Sequence, residues 1–243
     1  MRPGAIARVP SRACGLFLAL LFGAPAAGVA HGAHDTRTAG TTPQSARAPG
    51  YGRLEFEAPA AGTYTLPSLG LAADGHVIDA NGNPVRLHEL LAGKLVLLSF
   101  IYASCSDING CPLATYVLGR VQEPISANPL LRDRVRLLTL SFDPVRDTPP
   151  VMAKYGDQFR RPGFDWRFLT ARNQAELNPI LESYGQSVAP ERDANGRVTG
   201  TFSHLLRVYL IDDQRRIRNI YNASFLHPDI LVNDLLTVVK PGD

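Results

Sequence analysis

Cysteine is scarce in this chain: three among 243 residues, and beyond position 14 only Cys105 and Cys111. That excludes a disulfide-dense scaffold. A core of the size available here needs no staple either, so the pair asks for a chemical explanation. Basic residues form no stripe, and the net charge is only +3. Nucleic acid is therefore a poor partner. No internal repeat is present, which argues against a solenoid. No apolar run reaches the roughly twenty residues needed to span a bilayer. The two cysteines are not spaced as Cys-x-x-Cys, which counts against a general oxidoreductase. No Pro-x-x-x-Thr-x-x-Cys precedes Cys105, which counts against a peroxidase. What remains is ordinary: 45% hydrophobic and 19% charged residues suit one globular domain with extra length.

The extra length is at the start. Arg2, Arg8 and Arg12 precede the apolar run 13–23, "ACGLFLALLFG", and small residues follow to Ala30. This pattern predicts a secretory signal over 1–30 cut after Ala30, with an uncleaved N-terminal membrane anchor as the alternative. The product is exported, periplasmic or anchored facing the periplasm, and Cys14 leaves with the signal. A flexible linker is expected next, from His31 to about Gly52 by composition and over 31–60 in the domain division. His31 and His34 could bind copper loosely there; a solvated tail is the simpler reading. The folded domain is expected over 61–243.

In that domain strands and helices alternate. "HVIDANGNPVRLHEL" (76–90) carries a hairpin signal at Asn81-Gly82. "KLVLLSFIYA" (94–103) and "RVRLLTLSFD" (134–143) read as strands buried on both faces. A helix is expected from Pro112, another after Thr148 with prolines at its start, and a third over 173–185 ending at Gly185. "DWRFLT" (165–170) is a short strand, 205–212 and 217–223 are an antiparallel pair, and 227–239 is a closing amphipathic helix. This order predicts an α/β, thioredoxin-like fold: a central mixed sheet flanked by helices, with an N-terminal hairpin. It puts the cysteines after a central strand, where a helix N-terminus favours thiolate.

"YASCSDINGCPLATYV" (102–117) leaves a redox disulfide, a metal clamp and a passive disulfide open. His204, read as lying just before a strong strand, is the residue that separates them. With two thiolates it would make a soft set suited to Cu(I) or Cu(II), whereas zinc would want a fourth ligand. Taken alone, His204 reads more simply as a strand-end histidine bonded to a carbonyl.

Several ordered stretches carry a resemblance: "VRLHELLAGKLVLLSFIYASC", "CPLAT" (111–115), "LLTLSFDPVRDTPPVMAKYG", "WRFLT" and "SHLLRVYLIDDQRRIRNIY". Over about residues 64 to 239 the chain resembles the SCO/SenC family. These are copper-binding, thioredoxin-like proteins that help assemble the copper centre of cytochrome c oxidase. The resemblance implies copper ligands at Cys105, Cys111 and His204. It also implies a partner that is a cytochrome c oxidase subunit or another cuproprotein. Asp143 and Asp147 match the family's acidic segment; they are read as ordering a turn and helping to cap the helix near Thr148. The family pattern has three residues between its cysteines, and this chain has five, so the expanded Cys-x5-Cys loop is a departure. Asp107 in that loop could add an oxygen ligand, but an exposed loop residue is expected. His76, His88 and His227 are read as structural or surface residues.

The expected function is an extracytoplasmic copper chaperone. The alternatives are a thiol–disulfide oxidoreductase, with Cys105 and Cys111 catalytic, that reduces a partner's copper-ligand cysteines, or a redox sensor.

Overall fold

A computed structural model of the chain describes residues 47–239. The run read as a buried strand is the middle of its main sheet. All seven residues of β3, Leu95–Ile101, are buried. One edge pairs in parallel with β4, Val135–Ser141, and the other antiparallel with β8, Val208–Ile211. Outward from β4 lie β5, Trp166–Thr170, then β1, His76–Asp79, and β2, Pro84–Arg86. Outward from β8 lies β9, Ile217–Tyr221, completing a seven-stranded mixed sheet. The β1–β2 hairpin turns as Asn81-Gly82 predicts: the Asp79 carboxylate accepts from the Asn81 and Asn83 amides, and Gly82 takes φ 88°.

Helices flank the sheet. α1 is a short helix, Leu87–Leu91, within the stretch read as hairpin. α2, Cys111–Ala127, buries Leu113, Val117, Leu118, Val121 and Ile125, a helical spacing that packs it toward β3. α3, Pro149–Asp157, lies on β5, and α4, Gln174–Ser183, lies on β1. α5, Pro228–Val238, packs against α2. Asn173 caps α4 by accepting from Glu176 N–H, and His227 caps α5 by accepting from Asp229 N–H. The buried Asp234 of α5 accepts from Asn219 and from the Tyr64 and Tyr221 hydroxyls. Three donors offset the burial of that carboxylate.

Three expectations are corrected. An unforeseen hairpin, β6 (Val188–Arg192) and β7 (Val198–His204), forms its own two-stranded sheet. Its residues are mostly exposed and show no apolar alternation; only the turn "DANG", with Gly196 at φ 79°, announced it. His204 therefore ends β7, and β8 begins at Val208. Finally, the linker does not run to residue 60. Pro49–Tyr51 forms a 3₁₀ turn, and Ala48 and Gly50 are buried, because this small-residue stretch fits against α2. The expected signal, Cys14, His31 and His34 lie outside the described residues. No helix among the described residues is long and apolar enough to cross a membrane.

Leu98 is fully buried at the centre of β3. Leu98→Ala is expected to lower the unfolding free energy by about 2–5 kcal/mol. Urea denaturation followed by circular dichroism measures this, and a loss well under 1 kcal/mol contradicts a central, fully packed β3.

Candidate metal and thiol site

The site begins where β3 and β4 end side by side, with Ile101 in register with Ser141. The Phe142 amide still donates to the Ile101 carbonyl at 2.8 Å. Beyond it the chains part, and Asp147 ties them: its Oδ2 accepts from the Ala103 amide at 2.8 Å and the Ser141 hydroxyl at 2.5 Å. Asp147 was expected to help cap α3. The cap position is Thr148, which makes no side-chain cap bond. Pro149 and Pro150 follow it and have no N–H to offer. Asp147 is thus turned inward, where burial raises its pKa against the pull of its hydrogen bonds. Asp143 orders its turn as expected, with its carbonyl accepting from the Arg146 and Asp147 amides and its carboxylate paired with Arg146.

The loop then tightens on itself. Cys105 N–H donates to Tyr102 at 3.2 Å, Asn109 N–H to Asp107 Oδ1 at 3.1 Å, and Gly110 N–H to the Asp107 carbonyl at 2.9 Å. Asp107 is exposed and spends its carboxylate on this Asx-type turn. A Cβ on Gly110 would lie 2.9 Å from Asp107 Oδ2 and 3.1 Å from His204 Nε2, so glycine lets the turn close beneath the imidazole. α2 starts at once, with Cys111 as its first residue and Pro112 in its first turn.

The fold brings Cys105, Cys111 and His204 together. Their ligand atoms all lie within 4.8 Å of one another, and His204 Nε2 is 3.4 Å from Cys111 Sγ. His204 Nδ1 is 3.1 Å from the Phe202 carbonyl. A proton on Nδ1 donated there leaves the Nε2 lone pair facing the sulfurs. No disulfide joins the two cysteines in this structure. Tyr102 and Phe142 wall the imidazole, with ring centroids at 5.7 and 5.3 Å, and Phe202 packs on both. Phe202 could have been noticed in the sequence: two residues before His204 on a strand, it shares its face. His76, His88 and His227 stay apart from this cluster: His76 faces Arg86, and the rings of His88 and His227 pair with backbone at Ala72 and Asp229.

The thiols are not equivalent. A hydrogen bond from Cys111 depresses the pKa of half-buried Cys105, and His204 adds to this. Cys111, 1% exposed, is pushed up by burial and by the neighbouring thiolate. The expected thiolate therefore falls on Cys105, with Cys111 protonated despite its place at the helix start. His204 is raised above its usual range, chiefly by hydrogen bonding to Cys105. A cavity of about 400 Å³, walled by Tyr102, Pro112, Tyr116, Tyr155 and Phe159, opens beside both cysteines.

A sequence profile of the SCO1/SenC family matches residues 71–240. The SCO1 protein homolog of Bacillus subtilis is 25% identical over 156 residues, 64% of this chain and 76% of that protein. The crystal structure of yeast Sco1 with copper bound superposes with a TM-score of 0.54 at 25% identity, covering 70% of this chain and 89% of that one. The structure of BsSco, described as a member of the Sco family of cytochrome c oxidase assembly proteins with a disulfide switch, gives a TM-score of 0.57. It is 22% identical and covers 73% and 99% of the two chains.

The depressed pKa of Cys105 has a kinetic signature. In the reduced protein, alkylation of Cys105 by iodoacetamide is expected to be nearly flat between about pH 6 and 8, where an ordinary thiol gains about tenfold per unit. Peptide mass mapping separates it from Cys111. A tenfold rise per unit at Cys105 contradicts the assignment.

Proposed function

Because this chain belongs to the SCO1/SenC family, we propose that it binds copper through Cys105, Cys111 and His204 and delivers it outside the cytoplasm to a cuproprotein. The copper centre of cytochrome c oxidase is the favoured recipient. One observation carries this reading: three side chains from a loop, a helix start and a separate hairpin meet with their ligand atoms within 4.8 Å. Two sulfurs and an imidazole nitrogen are a soft donor set of low coordination number, suited to Cu(I) and able to hold Cu(II). A structural zinc site would take a fourth ligand. Asp107 is the nearest oxygen candidate in the loop, and its carboxylate is engaged in the turn. The yeast relative with copper bound supports the choice of metal, and the family description of BsSco supports the choice of recipient. The five-residue spacing does not keep the two sulfurs apart. The adjoining cavity gives an incoming partner ligand a side from which to approach. The Arg-rich, apolar start of the chain supports export, with the domain periplasmic or anchored facing the periplasm.

A second reading is favoured by the inequality of the thiols. The Cys105 thiolate is suited to attack a partner disulfide, forming a mixed disulfide and releasing one partner thiolate. Cys111, once deprotonated, then attacks Cys105 Sγ. That releases the second partner thiol and leaves a Cys105–Cys111 disulfide, so two electrons pass to the partner.

His204 separates the readings. The reduced wild type is expected to bind one copper per chain. His204→Ala is expected to abolish stable Cu(II) binding and weaken Cu(I) less, since two thiolates hold Cu(I) linearly. Cys105→Ser and Cys111→Ser are expected to damage both. Thiol–disulfide exchange on the same samples needs both cysteines and should survive His204→Ala. Wild-type copper binding by His204→Ala overturns the copper-site reading and leaves the reductase in front.

A further inference from the structure

Between the cysteines the chain is irregular, yet it presents two sulfurs to one imidazole. Its internal turn is local, made by Asp107, and a local turn does not attach the loop to the domain. A segment far off in sequence adds two long-range bonds at the middle of the loop. Ala48 N–H donates to Asn109 Oδ1 at 2.8 Å, and the Tyr51 hydroxyl donates to the Ile108 carbonyl at 2.6 Å, pairs 61 and 57 residues apart. Both acceptors belong to the loop, two and three positions before Cys111.

The donating segment is itself fixed. A Cβ on Gly50 would stand 2.2 Å from the Leu226 carbonyl oxygen and 2.9 Å from Val117 Cγ2. The 3₁₀ turn is thus seated between α2 and the chain entering α5, at a spacing no side chain permits. The Tyr51 ring lies 4.9 Å from the Tyr116 ring of α2. A donor on an anchored turn restrains its acceptor far better than one on a free strand of chain, because its own ordering entropy is already spent.

We propose that residues 48–51 form a clasp that positions the Cys-x5-Cys loop, with Tyr51 and Asn109 as its positioning residues. Without it the five residues between the sulfurs sample open conformations, and Cys105 and Cys111 face His204 only part of the time. In its consequence for copper the inference rests on the function proposed above; in its consequence for the thiols it does not. The clasp also lies outside the stretch matched by the family profile, which begins at residue 71. A feature of this chain beyond that match therefore shapes its site.

The test uses the full chain, reduced and metal-free. Tyr51→Phe removes one hydroxyl and keeps the ring against Tyr116. Ala48→Pro removes the other donor at a φ of −59°, which proline adopts. Alkylation of buried Cys111 reports local opening of the loop. Each lost bond is expected to raise its rate about fivefold, with the double variant highest and the thermal midpoint lowered by only a few degrees. Gly50→Ala, which displaces the whole turn, is expected to do at least as much. On copper titration the double variant is expected to bind about tenfold more weakly, the usual cost of losing support behind a ligand. An unchanged Cys111 rate in a folded double variant overturns the clasp. So does an equal rise in Leu98→Ala, destabilised in the sheet centre away from the loop, since that reports general destabilisation. If wild type binds no copper, the copper reading fails, and Cys111 alkylation alone still decides the clasp.

Discussion

β3 has no exposed residue and no unpaired edge. A one-residue slip would break its register with both neighbours at once and exchange the two packed faces, so the strand has one position. Everything at the site is measured from its exit. In-register pairing with β4 brings Ile101 and Ser141 out together, and Asp147 bridges the two chains just beyond. The cysteine loop thus leaves from a point stitched on two sides, and α2 receives it six residues after Cys105. The imidazole arrives differently, on a hairpin outside the main sheet, and is held by aromatic packing of Phe202 against Tyr102 and Phe142.

The two sulfurs show how placement divides one residue type into two roles. Both belong to one short segment, Cys105 on the loop and Cys111 at the start of α2. Cys111 is sealed beneath the loop, and burial disfavours its charge. Cys105 is half-exposed and receives a hydrogen bond from Cys111, so the negative charge settles there. A single thiolate beside an imidazole is a reactive arrangement, and metal binding requires the second proton to leave as well. The two chemistries proposed for the site would therefore compete for the same sulfurs and be linked through the Cys111 proton.

The backbone of the fold was legible because its signals are local. Continuous apolar runs marked β3 and β4, Asn-Gly marked the β1–β2 turn, and prolines marked the starts of α2 and α3. The β6–β7 hairpin was not legible, since an exposed strand pair has no buried face to impose alternation. Residues 47–60 read as linker because Ala, Gly and Pro lack a periodic pattern. Smallness is the property that lets Gly50 reach the Leu226 backbone. Asp147 read as a helix cap because capping is a sequence-near role, and its partners Ala103 and Ser141 come from strand ends that only the sheet brings together.

The sequence by itself determined the residue types of the site: two cysteines on one short loop, a proline to start the helix behind them, and a histidine in a setting like that of the SCO/SenC proteins. It determined the alternating order that makes a mixed sheet the natural outcome. Only the tertiary structure decided that a loop of five residues still brings the sulfurs together, which thiol carries the charge, and that residues 48–51 hold the loop in place. Those outcomes depend on burial and on hydrogen bonds between residues 57 to 93 positions apart, and no periodicity or spacing along the chain encodes such distances.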